Sequence, residues 1–292
     1  MIAMLWAALA LFGAVLDSGY YALAKRSLAS LPDEVLAAGA FLAASGLLFL
    51  VSFAEGVPPV SPTLMQPVLV TGTINIISAG LVFFALRRTD LSLAVPVITF
   101  TLVFLAGTSF IVLGEVPTVA GMAGILLIVL GAFAIQASPG RKGASLPWDR
   151  DRWKGTVVML TVAFLYSLSL PYDKAVVLAS DAVFGSALVN LFIGSAFVAA
   201  VLIRGSWRRA LPRDVMVAAP GLGLILLGET VAINLAYTVQ IVPYVIAVKR
   251  LSILFSVLIG GLVFREEGLA WRAVGAVVMI GGVVLIVLST GP

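Results

Sequence analysis

Ten runs of about twenty apolar residues, each bounded by charge, Pro or Gly, leave this chain little choice of fold. They span approximately 2–23, 35–53, 65–86, 91–113, 119–137, 155–178, 182–203, 215–239, 243–264 and 269–288. A bilayer core is about 30 Å thick and takes roughly 20 helical residues to cross, so each run has the length of one span. Within hydrocarbon, a lone segment satisfies its backbone N–H and C=O groups only by closing them into a helix. The expected fold class is therefore all-α integral membrane, with ten transmembrane helices. Composition agrees: 61% of residues are hydrophobic and 11% charged, where a soluble surface needs roughly a quarter charged. The first run has no basic segment before it and no A-x-A-like cleavage site after it. It is read as a retained membrane helix and not a removed signal peptide.

Independent signals mark the same ends. Lys25, Arg26, Arg87, Arg88, Arg204 and Arg265 sit just beyond runs, where long basic side chains reach the headgroups. Trp6, Trp148, Trp153, Trp207 and Trp271 lie near run ends, as an interfacial aromatic belt requires. The longest polar stretch, 138–154, reads SPGRKGASLPWDRDRWK and is the natural linker between a first unit, 1–137, and a second, 155–292. A shift of 151 residues lays Glu115 on Glu266, Gly124 on Gly275 and Gly131 on Gly282. Each half thus ends as a long helix, an acidic short loop and a Gly-bearing helix. Five crossings is an odd number, so the second unit starts on the opposite face: a 5+5 inverted-topology repeat, the architecture of alternating access around a midplane site. The paired glycines, seven apart and so on one helix face, are read as packing positions where a neighbouring backbone comes close.

Of the 18 Lys and Arg, Lys249 and Arg250 lie inside the ninth run and Lys174 on the side of the termini. The other 15 all fall on the side of the odd-numbered connections. By the positive-inside rule both termini lie outside the cytoplasm. The basic residues are scattered as topology signals and form no nucleic-acid patch.

There is no Cys and no His, which removes thiolate chemistry, disulfides and the commonest base and zinc ligand. No D-x-x-D run suggests a metal-dependent lipid enzyme. The chain is expected to be no enzyme, with no cofactor and no metal. Ionisable groups inside a span cost about 2.5–3.5 kcal/mol each on insertion scales, so the few present are candidates for function. Glu229 in the eighth run and Lys249 and Arg250 in the ninth fall at similar depth on adjacent antiparallel helices. One basic group can pair with Glu229 while the other faces a cavity and receives a carboxylate or phosphate, Arg by a bidentate fork and Lys as a point charge. A purely structural lock would need one basic residue, not two. Asp17 has two readings: a proton-coupling carboxylate, or a partner for Lys25 or Arg26. Asp173 and Lys174, after Pro171, read as an end-of-helix pair. Tyr20, Tyr21, Asn75, Asn234 and Tyr244, with Tyr166 and Tyr172, are candidates for the walls of the cavity. Pro96 and Pro243 stand near the starts of corresponding helices, a pointer to interrupted spans.

The stretch LSLAVPVITFTLVFLAGTSFIVLGEVPTVAGMAGILLIVLGA, recurring later as helix, Glu and Gly-bearing helix, resembles the tandem EamA-type domains of the drug/metabolite transporter superfamily. The resemblance covers nearly the whole chain. It implies a ten-helix secondary transporter of the inner (plasma) membrane, for substrates from amino acids to phosphorylated sugars. Family members usually hold their termini inside, against the charge bias here. AVKRLSIL, from Ala247 to Leu254, resembles the Lys-Arg pair with which triose-phosphate translocators bind phosphate. That likeness also singles out Lys249 and Arg250. The aromatic amino acid exporters of the superfamily line their cavities as Tyr20, Tyr21 and Tyr244 would. The expected function is export or exchange of a small metabolite bearing a carboxylate or phosphate, such as an amino acid or organic anion. The alternative is a carrier of cationic drugs or quaternary amines using Glu229 or Asp17. The expected partners are a small-molecule substrate and the lipid bilayer, no nucleic acid, and the chain acts as a monomer or homodimer.

Overall fold

The computed structural model describes residues 2–88, 97–136, 150–255 and 269–290. Among them are ten α-helices: α1 (Ile2–Ser27), α2 (Asp33–Glu55), α3 (Met65–Arg88), α4 (Thr101–Leu113), α5 (Val119–Gln136), α6 (Arg150–Ala179), α7 (Phe184–Arg204), α8 (Pro212–Tyr237), α9 (Val242–Lys249) and α10 (Leu269–Ser289). A 3-10 turn, Ser206–Arg209, joins α7 to α8. Six helices are long and apolar enough to cross a bilayer, and three more are shorter but apolar. Local chemistry sets many ends. Lys25 and Arg26 close α1, and Asp33 and Glu34 open α2, each complementing the helix dipole. Pro opens α8 and α9, where its missing N–H costs nothing. Gly114 and Gly205 end α4 and α7 in the left-handed region, at φ 69° and 63°, which glycine reaches without a Cβ clash. Of the sequence readings, most of the linker, Pro96, Glu266 and the end of the ninth run lie outside the described residues.

Pro171 sits inside α6, where it leaves the carbonyl of Ser167 without its intrahelical donor. Thr108 on α4 replaces that donor, its hydroxyl reaching the Ser167 carbonyl at 2.6 Å. The helix therefore crosses intact, and the repair ties α4 to α6.

The packing has two-fold character. α5 pairs with α10 and α2 with α7, while α1 against α8 is matched by α6 against α3. Exchanging each helix with the one five later maps these pairings onto themselves. The self-paired helices run antiparallel. Phe41 stacks on Phe197 while Phe49 meets Phe184, so α2 ascends as α7 descends. At the α5–α10 seam a Cβ on Gly124 would stand 2.6 Å from the Gly282 carbonyl, and one on Gly131 2.6 Å from that of Gly275; the reciprocal clashes are the same. The fold is an inverted repeat, and its glycines are in backbone contact across the symmetry axis. A backbone carbonyl cannot swing aside as a side chain can, so Gly131→Leu is expected to cost about 3 kcal/mol and lower the melting temperature in detergent. Gly46→Leu, with open space around its Cβ, should not.

One buried cluster surrounds α9 and includes Trp6, Leu102, Ile125, Tyr237 and Met279; another joins α2, α7 and α8 through Leu36, Ile193 and Leu222. Outward lie Ile111, Val119 and Ile203, 79%, 92% and 86% exposed. Such exposure of apolar surface suits lipid and not water.

The ninth run departs from expectation. It reads as one continuous helix, yet α9 stops at Lys249 and helical structure resumes only at Ser252. Through the break the backbone tightens to i−3 bonds: Leu251 N to Val248 O, Ile253 N to Arg250 O and Leu254 N to Leu251 O. The first half makes the same turn 151 residues earlier, from Phe100 N to Val97 O, Leu102 N to Thr99 O and Val103 N to Phe100 O. Interrupted helices at matched positions of two halves are where transporters of this architecture place their sites. In the first half the break carries Ile98 and Thr99; in the second it carries Lys249 and Arg250.

Candidate binding cavity

A cavity of about 220 Å³ opens among α1, α3, α6, α7, α8 and α9. Asp17, Tyr20, Tyr21, Asn75, Glu229, Asn234, Lys249 and Arg250 all line it. α8 brings Glu229 to it, α1 brings Asp17, and the break after α9 turns both basic residues toward it.

Lys249 Nζ lies 2.5 Å from Glu229 Oε1 and 3.7 Å from Asp17 Oδ1. Both acids are nearly buried, Asp17 6% and Glu229 7% exposed. Burial makes such charges tolerable only when paired, and one ammonium serves both. Asp17 thus meets Lys249 and neither Lys25 nor Arg26: it sits too deep, more than two turns before the end of α1. Arg250 makes no ion pair among the described residues, and its buried Nε has no hydrogen-bond partner.

Asn234 donates to Ser186 Oγ at 2.6 Å, bracing α8 against α7. Asn75 on α3 donates to Ser169 Oγ of α6 at 2.8 Å and to Thr71 Oγ1 at 3.0 Å. Tyr20 and Tyr21 meet edge to face, their ring centres 5.9 Å apart.

Tyr244 departs from the sequence reading. It is absent from the cavity wall, and its hydroxyl accepts the Thr118 N–H at 2.8 Å and shares a hydrogen bond with Thr118 Oγ1 at 3.1 Å. The first turns of α9 face the α4–α5 connection, which directs that side chain away from the cavity. Tyr172 is likewise outside the wall, while Tyr166 lies in it. Asp173 and Lys174 do not form the expected pair with each other. Adjacent residues on a helix point about 100° apart, so Asp173 turns into the cavity and Lys174 away from it. Lys174 reaches Glu115 Oε1 at 2.7 Å and the Gln240 carbonyl at 2.8 Å.

Glu115 is the centre of a seal. Its other oxygen accepts from Ser109 Oγ at 2.6 Å and from the Val242 N–H at the start of α9 at 2.8 Å. Gly114, by reversing the chain after α4, places Glu115 over that helix start. Behind it all of Val242 to Val248 are buried, and apart from Pro243 they are 3% exposed or less. This plug lies toward the face of the chain termini, since α9 begins there. The cavity wall runs from Ala24 and Val82, near the far ends of α1 and α3, to Val176, Ser186 and Tyr237, near the terminus-side ends of α6, α7 and α8.

Sequence reasoning missed Tyr237, Ser169 and Asn190 in the wall. Small polar residues and tyrosines are common in packed membrane helices, so only a direction toward the cavity separates these. For Asp173 the signal was present, an acid within a span, but its neighbour Lys174 offered a simpler partner.

Residues 4–136 match the EamA-like transporter family. The first half of this chain thus resembles an EamA domain, a domain of the drug/metabolite transporter superfamily. No curated protein matches the sequence. Among solved structures 29 chains match. One, a crystal structure described only as that of a protein, superposes with a TM-score of 0.73 at 17% identity, covering 97% of this chain and 96% of its own. At that identity the likeness bears on the fold alone. The chain thus shares that fold over nearly its whole length, and its first half resembles a family of membrane transporters.

Proposed function

We propose that this protein is a secondary transporter of the drug/metabolite transporter superfamily, an exporter or exchanger without enzymatic activity, that moves a small metabolite bearing a carboxylate or phosphate by alternating access. The observation that carries the reading is Arg250. Lys249 is already matched by Asp17 and Glu229, whereas Arg250 lines the same cavity with no ion pair among the described residues. An unmatched guanidinium at mid-membrane calls for an anionic ligand, which it can hold through a bidentate fork. The matched helix breaks and the seal on one face supply the moving parts. In this reading the two repeats, 1–137 and 155–292, rock about the cavity. The basic loops face the cytoplasm of a bacterial-type inner membrane, so the Glu115 seal faces out.

A second reading keeps one specific observation: Lys249 has two carboxylates for one ammonium, a surplus that would receive a cationic drug or quaternary amine. A thermal-shift screen of the purified protein separates the two, using organic acids, amino acids, phosphorylated metabolites and quaternary amines. Stabilisation by anionic or amino-acid probes is expected, and Arg250→Gln should weaken their binding at least about tenfold, the scale of one lost charged hydrogen-bonding partner. Stabilisation only by quaternary amines, retained in Arg250→Gln, would replace this reading with the second.

A further inference from the structure

Two groups of opposite charge line the cavity without an ion-pair partner among the described residues. One is Arg250; the other is Asp173 on α6. The wall holds three carboxylates, Asp17, Asp173 and Glu229, and two basic groups, Lys249 and Arg250. Lys249 holds Asp17 and Glu229 together. Asp173 and Arg250 form no ion pair with each other or with any other described residue.

Asp173 is held ready by its neighbours. Thr71 Oγ1 donates to Asp173 Oδ1 at 2.5 Å, and that hydroxyl also meets Ser169 Oγ at 2.7 Å. Asn75 donates to both hydroxyl groups, at 3.0 and 2.8 Å. Three polar side chains from α3 and α6 thus fix one carboxylate oxygen. The other accepts no hydrogen bond among the described residues and is not among the buried atoms that lack one, which leaves it open to the cavity.

A charge inside the membrane persists when it is paired or faces a water-filled path that uses it. A simple anion would satisfy Arg250 and bring like charge toward Asp173; a simple cation would do the reverse. Only a ligand carrying both groups answers both walls, and discrimination follows from the repulsion each wall applies to the wrong ligand. We infer that Asp173 is the acidic pole of the binding site and that the substrate is a small zwitterion, its anionic group at Arg250 and its ammonium at Asp173. The inference rests on the proposed anion site at Arg250 and adds the second pole and the substrate class.

The test is binding of the standard L-amino acids to the purified protein by calorimetry, together with the N-acetyl derivative and the methyl ester of each one that binds. Acetylation removes the ammonium and esterification the carboxylate. Each change is expected to weaken binding at least tenfold. Asp173→Asn should weaken the free amino acid at least tenfold yet bring the N-acetyl derivative to within a few-fold of it. Asp173→Glu, which keeps the charge, should recover part of the loss, a readout that a merely structural role of Asp173 would not produce. If N-acetyl derivatives bind as well as their parents and Asp173→Asn changes neither, the zwitterion is wrong while the anion site stands. If Arg250→Gln leaves all binding unchanged, the anion site itself is wrong. Absence of binding by every amino acid overturns the inference.

Discussion

Lys249→Gln is expected to destabilise the protein by about 3–5 kcal/mol, the cost of removing one partner from a buried ion pair. This would be the largest effect of any single substitution in the cavity. Glutamine keeps hydrogen-bonding capacity on a side chain one bond shorter but leaves Asp17 and Glu229 as two nearly buried carboxylates without the ammonium that paired them. The loss should be partly reversed when the stranded charge is also removed. Lys249→Gln combined with Glu229→Gln should melt closer to the parent than Lys249→Gln alone, and Asp17→Asn should rescue less, since its oxygen is 3.7 Å from Nζ against 2.5 Å for that of Glu229. Melting temperatures of the parent, Lys249→Gln, Glu229→Gln and the double variant form a double-mutant cycle that isolates the coupling. Additive effects would mean that the three groups do not share their charge as the geometry implies. Arg250→Gln should be mild in the same assay, because no acid depends on Arg250 among the described residues; its effect belongs to ligand binding.

Glu115→Gln is expected to open the face that the structure shows closed. The Glu115 carboxylate joins Lys174, Ser109 and the first N–H of α9, so it clamps the α4–α5 connection, α6 and α9 at one point. Glutamine has a single acceptor oxygen and no charge. It also leaves Lys174, whose side chain is 14% exposed, with only the Gln240 carbonyl. A loss of about 1.4 kcal/mol from the closed arrangement changes its population relative to an open one tenfold. The chain contains no Cys, so Val245→Cys, at a fully buried position behind the seal, gives a single thiol on a clean background. Its reaction with a membrane-impermeant maleimide from the terminus side should accelerate about tenfold or more in Glu115→Gln. Lys174→Met should act in the same direction. The double variant should fall short of the sum of the two, since removing both charges leaves neither one stranded. Unchanged labelling would mean that the apolar packing of α9 alone holds this face closed.

Much of the architecture was legible in advance. Run length against bilayer thickness marks the spans, and the Glu and Gly spacings reveal the repeat. The glycine positions even anticipate the α5–α10 seam, because small residues at a seven-residue interval on one face have few other uses. The site was legible only through its charges. Glu229, Lys249, Arg250 and Asp17 stand out because an ionisable residue in a span is rare. Tyr244 was misread because the same side chain can face the cavity or the α4–α5 connection, and sequence does not say which way the helix is rotated. Asp173 was assigned to its neighbour for the same reason.

The sequence by itself determined that this protein lives in a membrane, crosses it ten times and repeats itself, because hydrophobic length and periodic spacing are properties of the chain read in order. It also determined which few residues carry charge into the bilayer. Only the tertiary structure decided which of those charges meet. Asp17 finds Lys249 on a helix more than two hundred residues away, Lys174 finds Glu115, and Arg250 and Asp173 find no ion-pair partner among the described residues. Partnership depends on helix rotation and on a backbone break after Lys249, both of which come from packing between helices distant in sequence. Where the cavity lies and where it is sealed follows from that packing alone.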